Sequence, residues 1–197
     1  TQADMIFGDN AIVAAADQAG FSDDPIAYYN SLDNAGRKQF LIDNQNGNGQ
    51  TDNIDGGGGN DVILGGGGAD QILGGLGDDI IHGGMGSDQM DGGTGADKFV
   101  FVPGDLSGGA VDTIYNFQTG AGGDALDIAD LLSGYTPATK ADYIKVVDDG
   151  SGNAKLQVDA NGSAGGSAYV DVAVLVGVSP STTVDDLIND GNLIVTH

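Results

Sequence analysis

The sequence predicts a mainly β protein: a parallel solenoid of nine-residue repeats, closed by a β-rich cap of antiparallel strands and a few short helices. Three observations predict it. Residues 47–100 read as six nonapeptides in tandem: GNGQTDNID, GGGGNDVIL, GGGGADQIL, GGLGDDIIH, GGMGSDQMD and GGTGADKFV. In each, Asp stands sixth (Asp52, Asp61, Asp70, Asp79, Asp88, Asp97) and an apolar residue eighth (Ile54, Ile63, Ile72, Ile81, Met90, Phe99). Six aspartates in one register arise by chance with odds of about one in 10⁵. The third observation is compositional: all 29 acidic residues are Asp and none is Glu, which favours turns and compact metal sites over helix.

One nonamer is a loop, GGxGxD, followed by a three-residue strand, xUx, with U apolar. Alternate side chains of a strand face opposite sides, so only U points inward and its neighbours face solvent. A strand that buries one residue is not stable alone, so the repeats must stack, two nonamers making one flattened coil. Ile54, Ile72 and Met90 then face Ile63, Ile81 and Phe99. Stacked strands lie about 4.8 Å apart, which lines up Asp52, Asp70 and Asp88 on one edge and Asp61, Asp79 and Asp97 on the other. Two carboxylates about 5 Å apart repel by roughly 3 kcal/mol at an effective dielectric of 20, so a cation between them is required. Calcium, with oxygen ligands at about 2.3 to 2.6 Å, reaches both across one strand spacing, whereas magnesium, at about 2.1 Å and octahedral, fits worse. Backbone carbonyls supply the remaining ligands, and glycine lets them converge without a Cβ in the way. The ligand types argue against zinc: there is no Cys, and His82 and His197 are the only histidines. Turn chemistry alone does not require Asp at one fixed slot of every repeat.

A net charge of −23 with six basic residues argues against nucleic acid or an anionic membrane as partner and for a cation. About five Ca²⁺ would neutralise roughly ten of these charges. No apolar run approaches the length of a membrane span, and no signal-peptide pattern is present. The chain divides into residues 1–46, a leading edge of the roll with a helical insertion; 47–100, the repeats; and 101–197, a C-terminal capping domain.

In chain order, Asp4-Met5-Ile6-Phe7-Gly8 has the D-x-U-x-G phrase of a repeat end, which suggests that the roll begins upstream of Thr1. Ser22-Asp23-Asp24-Pro25 is a helix start before Ile26-Ala27-Tyr28-Tyr29, and Asp43, nine residues before Asp52, reads as a degenerate member of the ladder. Tyr28, Tyr29 and Phe40 are expected to cover the end of the roll. Val111-Asp112-Thr113-Ile114 keeps the D-x-U phrase but not the spacing, and is read as a last coil on the Asp97 edge. Residues 124–132 read as a strand and a short helix stopped by Gly134. Longer strands follow over 143–148, 154–159 and 169–178, joined by hairpin turns at 149–153 and 161–163. A helix over 184–189, capped by Thr182 or Thr183, precedes a terminal strand at 193–196.

No HExxH, G-x-S-x-G, Walker A or dinucleotide fingerprint occurs, so no catalytic residue is assigned. His82, at the ninth slot of its repeat, is read as an outward-facing surface residue.

The repeats resemble the RTX β-roll family, whose nonapeptide is G-G-x-G-x-D-x-U-x. Residues 96–197 resemble the C-terminal secretion target domain of large type I secreted adhesins, through Gly95-Ala96-Asp97-Lys98-Phe99-Val100-Phe101, Val111-Asp112-Thr113-Ile114, residues 124–132 and the tail 184–195. The resemblance implies ions that each take an Asp and two loop carbonyls from each of two coils. One would join Asp61 to Asp79 through Gly57, Gly59, Gly74 and Leu76. A second would join Asp70 to Asp88 through Gly66, Gly68, Gly83 and Met85, in a loop that also holds Gly65 and Gly67. A third would join Asp79 to Asp97 through Gly75, Gly77, Gly92 and Thr94. A fourth, weaker because Asn48 and Gln50 replace glycines, would join Asp52 to Asp70. Asp97 with Asp112, and Asp43 with Asp61, are candidate end sites. The family's function would make this a non-enzymatic, monomeric, calcium-dependent folding module, secreted or at the bacterial cell surface, recognised by a type I secretion transporter. It would end a large adhesin of the kind that serves cell adhesion and biofilm formation. The alternative is the accessory tail of a secreted protease, lipase or alginate epimerase, and a third reading is a sugar- or surface-binding roll.

Overall fold

The computed structural model describes residues 5–7, 49–162 and 168–197. Its strands are β1 (Met5–Phe7), β2 (Asn53–Asp55), β3 (Val62–Gly67), β4 (Gln71–Leu76), β5 (Ile80–Met85), β6 (Gln89–Thr94), β7 (Lys98–Val100), β8 (Asp112–Tyr115), β9 (Ala125–Asp127), β10 (Ile144–Asp148), β11 (Ala154–Val158), β12 (Val170–Leu175) and β13 (Leu193–Ile194). Helices α1 (Lys140–Tyr143) and α2 (Val184–Asp190) lie in the C-terminal half.

Each glycine loop reverses the chain, so successive strands fall in alternate sheets. One sheet has the order β1-β3-β5-β7-β9-β13 and the other β10-β11-β12-β8-β6-β4-β2. Neighbouring repeat strands are parallel and offset by two nonamers: Ile54 pairs with Ile72 and Ile72 with Met90, while Ile63 pairs with Ile81 and Ile81 with Phe99. All six eighth-slot residues are buried in one cluster, as the periodicity requires. β1 adds to the same ladder with Ile6 level with Ile63, which places it at an eighth slot.

Two features depart from the three-residue strand with solvent-facing neighbours. Strands β3 to β6 are six residues long, because the glycines after xUx continue the ladder, with Gly66 paired to Gly84 and Gly75 to Gly93. The two sheets also differ on their outer faces. In β4 and β6 the positions flanking the core residue are Gln71, Leu73, Gln89 and Asp91, none of them buried. In β3, β5 and β7, Val62, Leu64, Ile80, His82 and Val100 are buried and only Lys98 is half-buried. Apolar residues at flanking slots make this second sheet buried on both faces, and such a strand loses its polar alternation.

The solenoid does not stop at the last repeat. β8 extends one ladder, Ile114 beside Met90, and β9 the other, Leu126 beside Phe99. β12 then runs parallel to β8 and β13 parallel to β9, so that Leu175 and Leu193 lie next in each stack. The antiparallel set β10-β11-β12 hangs on this end, and Leu156, Leu175 and Leu187 are almost fully buried in the same core. Its β10–β11 turn is fixed by Asp149, which accepts from the Asn153 side chain at 2.9 Å and from the Ser151 N–H at 2.7 Å. α2 begins at a capping box, in which Thr183 Oγ1 accepts the Asp186 N–H at 3.1 Å and Asp186 accepts the Thr183 N–H at 2.9 Å. It ends at Gly191, whose φ of 85° glycine adopts without strain.

The helix after β9 is a single 3-10 turn, Ala129–Leu131, and the last strand is two residues long. The expected helix at 26–29, the covering aromatics Tyr28, Tyr29 and Phe40, and Asp43 lie outside the described residues.

Because Ile81 is fully buried at the middle of its stack, Ile81→Ala should destabilise the calcium-loaded protein by about 3 kcal/mol. Gln71→Ala, on the exposed face, should stay within about 0.5 kcal/mol. Denaturant unfolding of both variants in saturating calcium checks this.

Candidate metal centre

Every repeat aspartate stands at the junction of loop and strand, where two backbone hydrogen bonds fix it to the next coil. Its backbone carbonyl accepts an N–H from the next coil: Ile80 donates to Asp61, Gln89 to Asp70 and Lys98 to Asp79, each at 2.8 Å. Its own N–H donates to Oδ1 of the aspartate one coil on: Asp52 to Asp70 at 2.8 Å, Asp61 to Asp79 at 2.8 Å, Asp70 to Asp88 at 2.8 Å and Asp79 to Asp97 at 2.9 Å. The carboxylates thus stack in two columns, and Asp61, Asp70, Asp79, Asp88 and Asp97 are buried to within 1%. The second oxygen, Oδ2, of Asp79, Asp88 and Asp97 is buried without a hydrogen-bond partner. Such an atom is costly unless something positive meets it.

The first glycine of each loop leaves the room. At Gly74 a Cβ would lie 2.5 Å from Asp79 Oδ2 and 2.5 Å from the Gly92 carbonyl oxygen of the next coil. The same two kinds of oxygen, a carboxylate of its own loop and a carbonyl of the next, meet beside Gly56 (Asp61 and Gly74) and Gly65 (Asp70 and Gly83). In that loop Gly75 and Gly77 have φ of 112° and 127°, and a Cβ on either would strike the Gly57 or Gly59 carbonyl oxygen of the preceding coil. The third loop slot carries no such demand and holds Leu76, Met85 or Thr94. The structure therefore brings Asp61, Asp70 and Asp79 each together with a loop carbonyl of the next coil, those of Gly74, Gly83 and Gly92, while Asp88 and Asp97 face the first glycines of their own loops. Three carbonyls that the resemblance implies, those of Leu76, Met85 and Thr94, each accept an N–H from Gly59, Gly68 and Gly77 at 2.7 to 2.8 Å. Each keeps one lone pair.

Among the described residues no three Asp or His side chains gather as a metal cluster, so ligand number has to come from backbone oxygens. A set of carboxylate and carbonyl oxygens between coils, without nitrogen or sulfur, suits a hard cation of flexible geometry such as Ca²⁺.

Asp112 lies on the other edge from the one the sequence reading gave it. The Asp88 N–H donates to Asp112 Oδ1 at 2.9 Å and Thr113 to the Asp88 carbonyl at 2.8 Å, so Asp112 follows Asp88, not Asp97. Strands alternate between sheets, so the one after β7 must return beside β6. The rung above Asp97 is Asp124, whose Oδ1 accepts the Asp97 N–H at 3.0 Å. Asp124 was not assigned from sequence, although Asp124-Ala125-Leu126 is the D-x-U phrase, displaced by a 27-residue interval. His82 is not a surface residue. It points away from the core stack as alternation dictates, but it is fully buried, with Nε2 3.1 Å from Asp105 Oδ1 in the 101–111 segment.

Burial pushes these carboxyls up. Asp79 and Asp88 are raised by it, Asp97 to about 7 and Asp112 to about 8, with the charges of neighbouring aspartates adding to the effect. A carboxyl whose folded pKa lies above its unfolded value favours folding below the unfolded pKa, and that contribution is lost as pH rises through the folded one. In chelator the fold should therefore gain stability as pH falls from about 8 to about 4. Calcium needs the ionised form, so its affinity should weaken over the same fall. Circular dichroism at several pH values, with and without calcium, tests both signs; a chelated protein that is more stable at pH 8 than at pH 5 would refute this.

Residues 46–81 and 64–99 match the family model of the RTX calcium-binding nonapeptide repeat. No curated protein matches the chain. Among solved structures the chain is similar to the AlgE6R3 subunit of the Azotobacter vinelandii mannuronan C5-epimerase, at 26% identity and a TM-score of 0.48, over 75% of this chain and 80% of that one. It is also similar to the AlgE6R2 subunit of that enzyme, at 24% identity and a TM-score of 0.42, over 76% of this chain and 95% of that one. RTX repeats bind calcium, and the buried aspartate columns accord with that.

Proposed function

We propose that this chain, whose repeats are those of RTX proteins, is a non-enzymatic module that folds when calcium binds between its coils and that belongs to a larger exported protein. The observation that carries this reading is the pair of buried aspartate columns in which Oδ2 of Asp79, Asp88 and Asp97 has no partner. Without a cation these oxygens oppose the fold that buries them. A ligand that binds only the folded state stabilises it by RT ln(1 + [L]/Kd) per site, about 2.7 kcal/mol when its concentration is 100 times Kd. Extracellular calcium modules bind with Kd of about 0.1 to 1 mM, so in a calcium-poor cytosol the repeats stay unfolded and outside the cell they fold. An unfolded chain is also what a secretion channel passes, which supports export through a type I transporter, with the C-terminal cap as the region recognised. No helix among the described residues is long and apolar enough to cross a membrane.

An adhesin and a secreted enzyme are both hosts that such a module can serve. The proteins named for the two similar structures fall on the enzyme side, and nothing in the repeats favours the adhesin. The module's proposed role is the same in either host.

A calcium titration followed by circular dichroism, with magnesium as control, should show β structure appearing with calcium alone; a spectrum already folded in EDTA would reject the switch. Asp79→Asn should move the response in opposite directions under the two conditions. In chelator it should be at least as stable as the parent, because one buried charge is gone. In the titration its midpoint should rise about tenfold, equivalent to about 1.4 kcal/mol.

A further inference from the structure

The edge that carries Asp61, Asp79 and Asp97 continues upward to Asp124 through the same two bonds: the Asp97 N–H donates to Asp124 Oδ1 at 3.0 Å, and Ala125 N–H to the Asp97 carbonyl at 2.8 Å. The surroundings of Asp124 differ from those below. Its Oδ2 accepts the Gln118 N–H at 2.8 Å, whereas the Oδ2 atoms of Asp79 and Asp97 have no partner. The 118–124 loop curls so that three carbonyl oxygens, those of Gln118, Gly120 and Asp124, converge on one point. At that point sits the side-chain nitrogen of Asn192, at 3.4, 3.2 and 2.6 Å from them, while Asn192 Oδ1 accepts the Gly120 N–H at 2.7 Å. Asn192 is 1% exposed. It is held in place from both sides: Gly191 ends α2 just before it, and its own carbonyl accepts the Leu126 N–H of β9 at 2.9 Å.

We propose that Asn192 terminates the cation ladder on this edge, its amide group occupying in the 118–124 loop the place that a cation takes in the loops below. The inference rests on the calcium reading of the preceding subsection. A neutral NH₂ meets converging carbonyl oxygens with the right polarity and adds no charge that would need a counter-ion. The last turn of the roll then closes without metal, and Asp97 is the final aspartate on this edge to face a cation through a bare oxygen. Asn192 is a positioning residue that fixes where the row of ions stops.

The test measures bound calcium per chain, by equilibrium dialysis with elemental analysis, and thermal stability at limiting and at saturating calcium, on the full chain. Asn192→Asp puts a carboxylate among the carbonyls of Gln118, Gly120 and Asp124, and should bind one ion more than the parent. It should melt lower than the parent at limiting calcium and recover at saturating calcium. Asn192→Leu, similar in size and unable to bond the carbonyls, should bind no extra ion and melt lower than the parent at every calcium level. The proposal is overturned if Asn192→Asp gains no ion or fails to fold at any calcium concentration, or if Asn192→Leu is as stable as the parent. A parent chain that binds no calcium would remove the underlying reading as well; a parent that binds calcium beside an Asn192→Asp that gains no ion removes this inference alone.

Discussion

Repulsion between stacked carboxylates governs this fold. A parallel solenoid places equivalent side chains of successive coils one strand spacing apart, and here those side chains include an aspartate at every turn. Each coil buries an acid in its loops, which opposes what the packing of its apolar residues contributes. The glycines, the unpartnered Oδ2 atoms and the raised carboxyl pKa values follow from the same requirement: oxygens must converge where a cation can hold them together. On the function proposed above, stability is in this sense borrowed from the calcium in solution.

The three constrained glycines of a repeat answer to different demands, which explains why the motif tolerates variation at its third slot and not at its first. Gly74 lacks a side chain so that an oxygen pair has room; Gly75 and Gly77 adopt backbone angles that other residues resist. Leu76, between them, is exposed, and its slot carries methionine or threonine in later repeats.

Much of this was legible in the sequence, because a strict period converts directly into neighbours in space. The core stack from Ile54 to Phe99 and the two columns of aspartates follow from counting nine. What the sequence hid lies where the period fails. Asp112 and Asp124 sit 24 and 27 residues beyond the aspartates they stack on, so their place depends on loops whose path no repeat dictates. The alternation of strands between sheets would have assigned Asp112 to the Asp88 edge, and the phrase at Asp124-Ala125-Leu126 would have marked the next rung. His82 was misread for another reason. Its slot faces outward, but Val62, Leu64 and Ile80 on that same face are apolar, a sign that the face is covered. The Asn192 contacts join residues more than 65 positions apart and leave no local trace.

The inequality of the two sheets sets a quantum of length. One outer face is wet, with glutamines at the flanking slots, and the other is dry on both sides. Excising a lone nonapeptide would exchange the roles of every strand beyond the cut, driving Gln89 toward the dry side and Ile80 toward the wet one. An array of this kind can grow or shrink by whole eighteen-residue turns, and evolution or an engineer adding ion sites must insert repeats in pairs.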